Sequence, residues 1–185
     1  MRLGSFSYFL DFVLLPPIIL AMLVWPVATS QSHNAVYVLL FFCFGLLTWT
    51  LIEYIFHRWL FHAGALFRPL HDFHHEKPEE LFGTPPVVGP AAIILVFYVP
   101  ALALDVESTG GFAAGVLTGY LAYTAIHYAA HARLDGGAFL ARARRRHMLH
   151  HFAQGDANYG VTTGLWDYLF GTTYEGRPAA GRTAS

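Results

Sequence analysis

Four clusters of histidine hold the side chains of this chain best suited to chemistry: His57-x4-His62, His71-x2-His74-His75, His127-x3-His131 and His147-x2-His150-His151. They account for all of the 11 histidines except His33. Neutral imidazole is a ligand for iron, zinc, copper and nickel, so the pattern points to a metal centre without naming the metal. With one cysteine in the chain, a thiolate-based structural zinc site is disfavoured. On a helix, residues four apart share a face. His127 and His131 therefore point the same way, and so do the triples His71, His74, His75 and His147, His150, His151. His57 and His62, five apart, diverge by ~140° on an ideal helix. They meet at one ion only if the helix ends or loosens between them; otherwise they serve different ions. Ten ligands are too many for one ion, and two ions with about five nitrogens each is the natural division. His33 reads as a loop residue on the opposite face.

The elements that must position these rings are apolar. Hydrophobic residues make up 55% of the 185 and charged residues 12%, against ~25% charged in soluble domains. One domain, 1–185, with four membrane spans is predicted, at about 8–28, 35–59, 87–104 and 111–130. Pro16-Pro17 and the pair Pro90 and Pro100 are expected to kink or interrupt the first and third. The N-terminal stretch reads as a retained span rather than a cleavable signal. A cap is predicted from 60–86 and 131–175, making an all-α fold with a helical cap around the histidines. In this topology every Lys and Arg lies on the histidine side, and the loops 30–34 and 105–110 carry none, so that side and both termini are predicted cytoplasmic.

Several residues around this frame have simpler readings. Cys43 reads as a buried packing thiol. Gly115-x3-Gly119 reads as close helix packing. A helix over 138–152 carries Arg142, Arg144, Arg145 and Arg146, which fit lipid phosphates at the membrane surface. The tail after it is expected to fold back under the histidines. No basic tail or glycine-rich phosphate loop is present, and nucleic acid is not an expected partner. Carboxylates near the clusters are candidates to orient metal-bound rings, because such a ring donates its second N–H to an acceptor. Glu53, one turn before His57, is expected to bond a histidine or an arginine such as Arg58. Asp72, Asp156, Asn158 and Asp167 are further candidates.

On these motifs the chain resembles the fatty acid hydroxylase and sterol desaturase superfamily. The stretches LTWTLIEYIFHRWLFH, HHEKPEELFGTPPV and HHFAQGDANYGVTTGLWDYLFGT are most similar to its fatty acid (sphingolipid) 2-hydroxylase branch, over about Thr48 to Thr172. The resemblance implies a non-haem di-iron centre, two Fe ions held by the ten clustered histidines, which uses dioxygen to hydroxylate a lipid acyl chain next to its carboxyl or amide carbon. Zinc can replace iron in purified protein of this superfamily. It also implies a separate electron-donor protein, since the chain has no room for the fused haem domain many relatives carry. One lysine against ten arginines suggests a GC-rich bacterial genome, hence the inner membrane. An acyl tail is expected between the second and fourth spans, in a channel ending beside His71 and His150. A desaturase, or a sterol-type or carotenoid oxidase, would use the same centre. A metal transporter or sensor is a remote alternative, because the histidines gather at one boundary rather than at the midplane.

Overall fold

A computed structural model describes residues 4–29, 35–81, 87–103 and 109–176. His33 with the rest of 30–34, residues 82–86 and 104–108, and Arg2, Arg177 and Arg182 lie outside the described residues. Every regular element among the described residues is helical. A short α1 (Ser5–Phe9) leads into α2 (Asp11–Thr29), and α3 (Ala35–Ile55) runs on into a π-helical turn, Phe56–Phe61. After α4 (Arg68–Glu76) come α5 (Val88–Ile93), a second π-helical turn (Ile94–Tyr98) and α6 (Val99–Ala103). A long α7 (Thr109–His131), α8 (Gly137–Phe152) and a short α9 (Leu165–Leu169) complete the chain.

The prolines act differently in the two segments expected to be broken. α2 continues through Pro16-Pro17, and the discontinuity falls earlier, at Leu10, whose carbonyl accepts from both Val13 and Leu14. In the other segment the π-helical turn immediately precedes Pro100. A proline ring crowds the carbonyl four residues before it, here Val96, and a widened turn relieves that clash.

Ser5–Trp25 and the 27-residue Ala35–Phe61 are long and apolar enough to cross a membrane. Few of their residues are buried, so they are not core helices of a soluble protein. Val13, Leu20, Leu39, Leu40 and Phe44 point outward, as do Leu95 and Leu102 of the α5–α6 segment. Such a continuous apolar exterior fits lipid and not water. Cys43 is part of that exterior, not of the interior as expected. A small polarisable side chain is as compatible with lipid as with a core.

α3 and α7 meet backbone to backbone. A methyl group at Gly45 would collide with the Phe112 carbonyl, and one at Gly115 with the Phe42 carbonyl. Gly119 continues the seam, where a Cβ would lie 2.5 Å from that of Trp49. In lipid, small residues of this kind replace the hydrophobic effect by letting helices approach closely. Along this stretch, 38–49 against 111–119, the contact leaves no room for the acyl tail expected between the second and fourth apolar segments. Around it, Trp49, Ile93, Val116 and Leu117 form the core, with Ile19 and Met22 of α2 packed on it. Asp11 is buried at the start of α2. Its carboxylate accepts from the Val87 amide at 2.9 Å and the Tyr120 hydroxyl at 2.8 Å, tying α2 to α5 and α7.

Candidate metal centre

The structure gathers the ten clustered histidines into two groups of five. The first comprises His57, His62, His71, His75 and His150; the second comprises His74, His127, His131, His147 and His151. Within each group the candidate ligand atoms all lie within 4.8 Å of one another. Each His-x2-His-His triple shares a helix face, as its spacing predicts, yet divides between the groups. His71 and His75 of α4 join the first while His74 joins the second; His147 and His151 of α8 join the second while His150 joins the first. His57 and His62 meet in one group because the π-helical turn lies between them. Its i→i+5 bonding brings residues five apart into register, and the two ring centroids stand 5.2 Å apart.

Both groups have the same shape. His57, His71, His75 and His150 form a closed ring of neighbours 4.5–4.9 Å apart, with His71 and His150 across a 6.3 Å diagonal. His62 caps it, 4.6–5.3 Å from all four. In the second group His74, His127, His147 and His151 form the square, with neighbours 4.5–4.8 Å apart. His131 caps that square at 4.7–4.8 Å. His75 and His151 stack at 4.1 Å where the groups adjoin.

Proton bookkeeping shows that these rings fit a cation. His57 Nδ1–H donates to the Tyr159 carbonyl and His150 Nδ1–H to the Ala157 carbonyl, at 2.7 Å for the latter. Both rings then present a bare Nε2 when neutral. The Nε2 atoms of His57, His62 and His75 lie 3.0–3.1 Å from that of His71. Those of His62 and His75 also lie 3.1 and 3.2 Å from that of His150. If these contacts were hydrogen bonds, His57 would require a proton on His71, which would require His62 and His75 bare. They in turn would require a proton on His150 Nε2, but that ring's proton is on Nδ1. No neutral assignment satisfies the set, so a positive ion among the lone pairs is the consistent solution. Donors at right angles on an ion with bonds of ~2.1 Å lie ~3.0 Å apart, whereas tetrahedral donors would lie ~3.4 Å apart. The spacing therefore favours more than four ligands. In the second group the Nε2 separations are 3.0 Å for His74–His127 and 2.9 Å for His131–His147.

Burial, reinforced by neighbouring imidazoles, keeps the rings neutral and ready for metal. It holds His62 down at about 4 and His74 and His150 at about 3. His71, His147 and His151 are lowered from the ordinary value of 6.5 by the same cause, and burial lowers His75 against the opposing effect of the Asp72 carboxylate. In metal-stripped protein the unfolded chain then binds more protons than the folded one from about pH 6.5 down to the folded values of about 4 to 3. Stability therefore rises with pH across that window and is lost as pH falls through it. Thermal unfolding of chelator-treated protein is expected to occur at lower temperature at pH 5 than at pH 7.5.

The carboxylates act one step further out than expected. Glu53 bonds neither a histidine nor Arg58; its oxygens accept from the Val161 and Thr162 amides and the Thr162 hydroxyl. Asp167 accepts from the Tyr159 and Gly160 amides and the Thr172 hydroxyl, each at 2.8 Å. Burial raises its pKa against those bonds. Asn158, with φ of 56°, clamps the backbone of Tyr174 through both its amide atoms. These three side chains hold the buried loop 157–161, and the loop's carbonyls orient His57 and His150. A chain leaving a helix carries unpaired amides, and a buried carboxylate needs donors, so each satisfies the other. Asp72 instead makes an exposed pair with Arg68 at 3.5 Å, and Asp156 is exposed beside the first group. Arg146 also departs from expectation: it turns inward toward the Val161 and Thr162 carbonyls rather than outward to lipid, while Arg142 and Arg145 are exposed.

Spacing did not reveal Tyr159, whose ring lies 5.4–5.7 Å from those of His57, His62 and His150 and whose carbonyl orients His57. Its signal was the polar DANYG segment just after the last histidine, together with a glutamate, Glu53, lacking any local donor. The tail returns under the site as expected. Trp166 donates to Thr50 at 2.9 Å, and Phe170 stacks on Tyr54 at 5.3 Å. A cavity of about 370 Å³ reaches the second group at His74, His127 and His131, with Tyr8, Glu79 and Leu81 in its walls. It does not adjoin His71 or His150, where the sequence suggested a channel.

A profile of the family described as fatty acid hydroxylase matches residues 42–172. A dihydroceramide fatty acyl 2-hydroxylase of Arabidopsis thaliana is 30% identical over 169 residues, covering 85% of this chain and 71% of that protein. The fatty acid 2-hydroxylase of Homo sapiens is 36% identical over 152 residues, covering 74% of this chain but 40% of its own length. A ceramide very long chain fatty acid hydroxylase of Schizosaccharomyces pombe is 34% identical over 148 residues, with 71% and 42% covered. A solved structure of full-length scs7p, in which only the hydroxylase domain is visible, superposes with a TM-score of 0.76 at 28% identity, over 91% of this chain and 67% of that one. All ten converging histidines fall inside the matched stretch, and with that overlap the chain belongs to the fatty acid hydroxylase family.

Proposed function

We propose that this protein is a membrane hydroxylase that inserts one oxygen atom of dioxygen into a lipid acyl chain, at the carbon next to its carboxyl or amide group. The balance is one C–H bond, dioxygen, two electrons and two protons giving an alcohol and water, with the electrons drawn from a separate donor protein. The observation that carries the reading is the pair of five-histidine groups gathered beside the end of the long apolar helix Ala35–Phe61 in a member of the fatty acid hydroxylase family. Two iron ions, one per group, would supply the oxygen activation that side-chain acid–base chemistry cannot. The protein's own part is to hold ten neutral imidazoles, to fix the His57 and His150 tautomers through the loop 157–161, and to keep water from the reacting carbon. We place α2, α3, the α5–α6 segment and α7 across the bilayer, with the histidines, α8 and both termini on the cytoplasmic, arginine-rich side. Arg142 and Arg145 then face lipid phosphates.

Two of the named relatives are 2-hydroxylases and the third is a ceramide very long chain fatty acid hydroxylase, which favours hydroxylation over desaturation and over metal transport. Lipids from expressing cells separate the chemistries: hydroxylation adds about 16 Da to an acyl chain, whereas desaturation removes about 2 Da. Cells making the wild-type chain are expected to accumulate 2-hydroxy acyl lipids, and cells making a His147→Ala control are not. Iron-loaded wild-type protein supplied with electrons and leaving every acyl lipid unchanged would refute the assignment.

A further inference from the structure

Resting on the metal-centre reading, we infer that the two histidine groups hold their ions unequally: the first group retains its ion, and the second exchanges its ion through the cavity at His74, His127 and His131. Two independent observations carry this. The first is how the rings are anchored. Loop 157–161 serves the first group alone, through the carbonyls that accept from His57 and His150. That loop is itself held by Glu53 and Asp167. In the second group, among the described residues, Nδ1 of His147 is buried without a hydrogen-bond partner, and so are both ring nitrogens of His151, one of which is the ligand atom and the other of which therefore has no outer partner. An outer partner fixes a ring's tautomer and direction and raises its basicity; its loss typically weakens metal binding ~10–100-fold. The second observation is access. The cavity touches three members of the second group. The Glu79 carboxylate in its wall would receive a dehydrating divalent cation before His131 does. Ion exchange needs such an entry path as well as a weaker site.

The full-length protein, purified in detergent and loaded with Zn2+, would be placed in excess EDTA and its metal counted over time by mass spectrometry. Zinc undergoes no redox change, so the measurement is separate from activity. Loss is expected in two phases of one equivalent each, at least about 10-fold apart in rate. His131→Ala should keep only the slow equivalent, and His62→Ala only the fast one. Asp167→Asn should speed the slow phase and leave the fast one alone. Leu81→Trp, which narrows the cavity, should slow the fast phase. Two equivalents leaving in one phase, or a slow equivalent that survives His62→Ala but not His131→Ala, would overturn the inequality and leave the hydroxylase reading standing. Wild-type protein that takes up no zinc or iron would overturn the metal centre, and this inference with it.

Discussion

Changing His150 to alanine is expected to eliminate product formation and to remove one of two bound metal equivalents. No other ring carries so many constraints. It is fully buried, its Nδ1 is committed to the Ala157 carbonyl, and its Nε2 faces those of His62 and His75. Losing an outer partner alone costs ~10–100-fold in affinity. Losing a ligand from a five-nitrogen group should therefore cost at least about 100-fold at that group. Metal content by mass spectrometry and hydroxylated lipid by chromatography measure the two effects. Asp72→Asn is the matched comparison. Its exposed pair with Arg68 is worth no more than ~1 kcal/mol, and both readouts should stay near wild type. Full metal content and full activity in His150→Ala protein would contradict the two-group geometry.

Gly115→Val is expected to prevent folding of the membrane-embedded part, with a loss of more than about 4 kcal/mol. The added Cβ would collide with the Phe42 carbonyl and lie 2.9 Å from the Leu46 amide, both backbone atoms that cannot turn aside. α3 and α7 would have to separate, and α3 delivers His57 while α7 delivers His127 and His131. The damage should thus reach the histidines from a point well away from them. Gly155→Ala tests whether any added methyl is harmful. Its nearest neighbour would be the His150 carbonyl oxygen at 4.0 Å, and little change is expected. Unfolding temperature and monodispersity in detergent separate the two variants. A Gly115→Val protein with wild-type stability would show that the close approach is dispensable.

Legibility in the sequence followed how local each feature was. The histidine spacings, the apolar runs and the glycines of α7 could be read directly, because periodicity and side-chain chemistry act within one segment. The His57–His62 interval posed a question rather than an answer: an ideal helix forbids convergence, and only the π-helical turn resolves it. Glu53 was recognised as a buried charge in need of donors, but the donors lie more than 100 residues away in sequence, at Val161 and Thr162. Pro16-Pro17 do not interrupt α2, an outcome that proline's local penalty taken alone does not predict.

The sequence by itself determined that ten imidazoles, on helices beside lipid, were available for a metal centre, since the identity and face of each ring follow from residue type and helical spacing. The tertiary structure alone decided how each His-x2-His-His triple divides between the groups, which carbonyls fix the tautomers and which group opens to a cavity. Those outcomes depend on where α4, α7, α8 and the loop 157–161 stand relative to one another. That placement is set by contacts between distant segments, such as the glycine seam of α3 and α7 and the carboxylate bonds of Glu53 and Asp167, which no local pattern encodes.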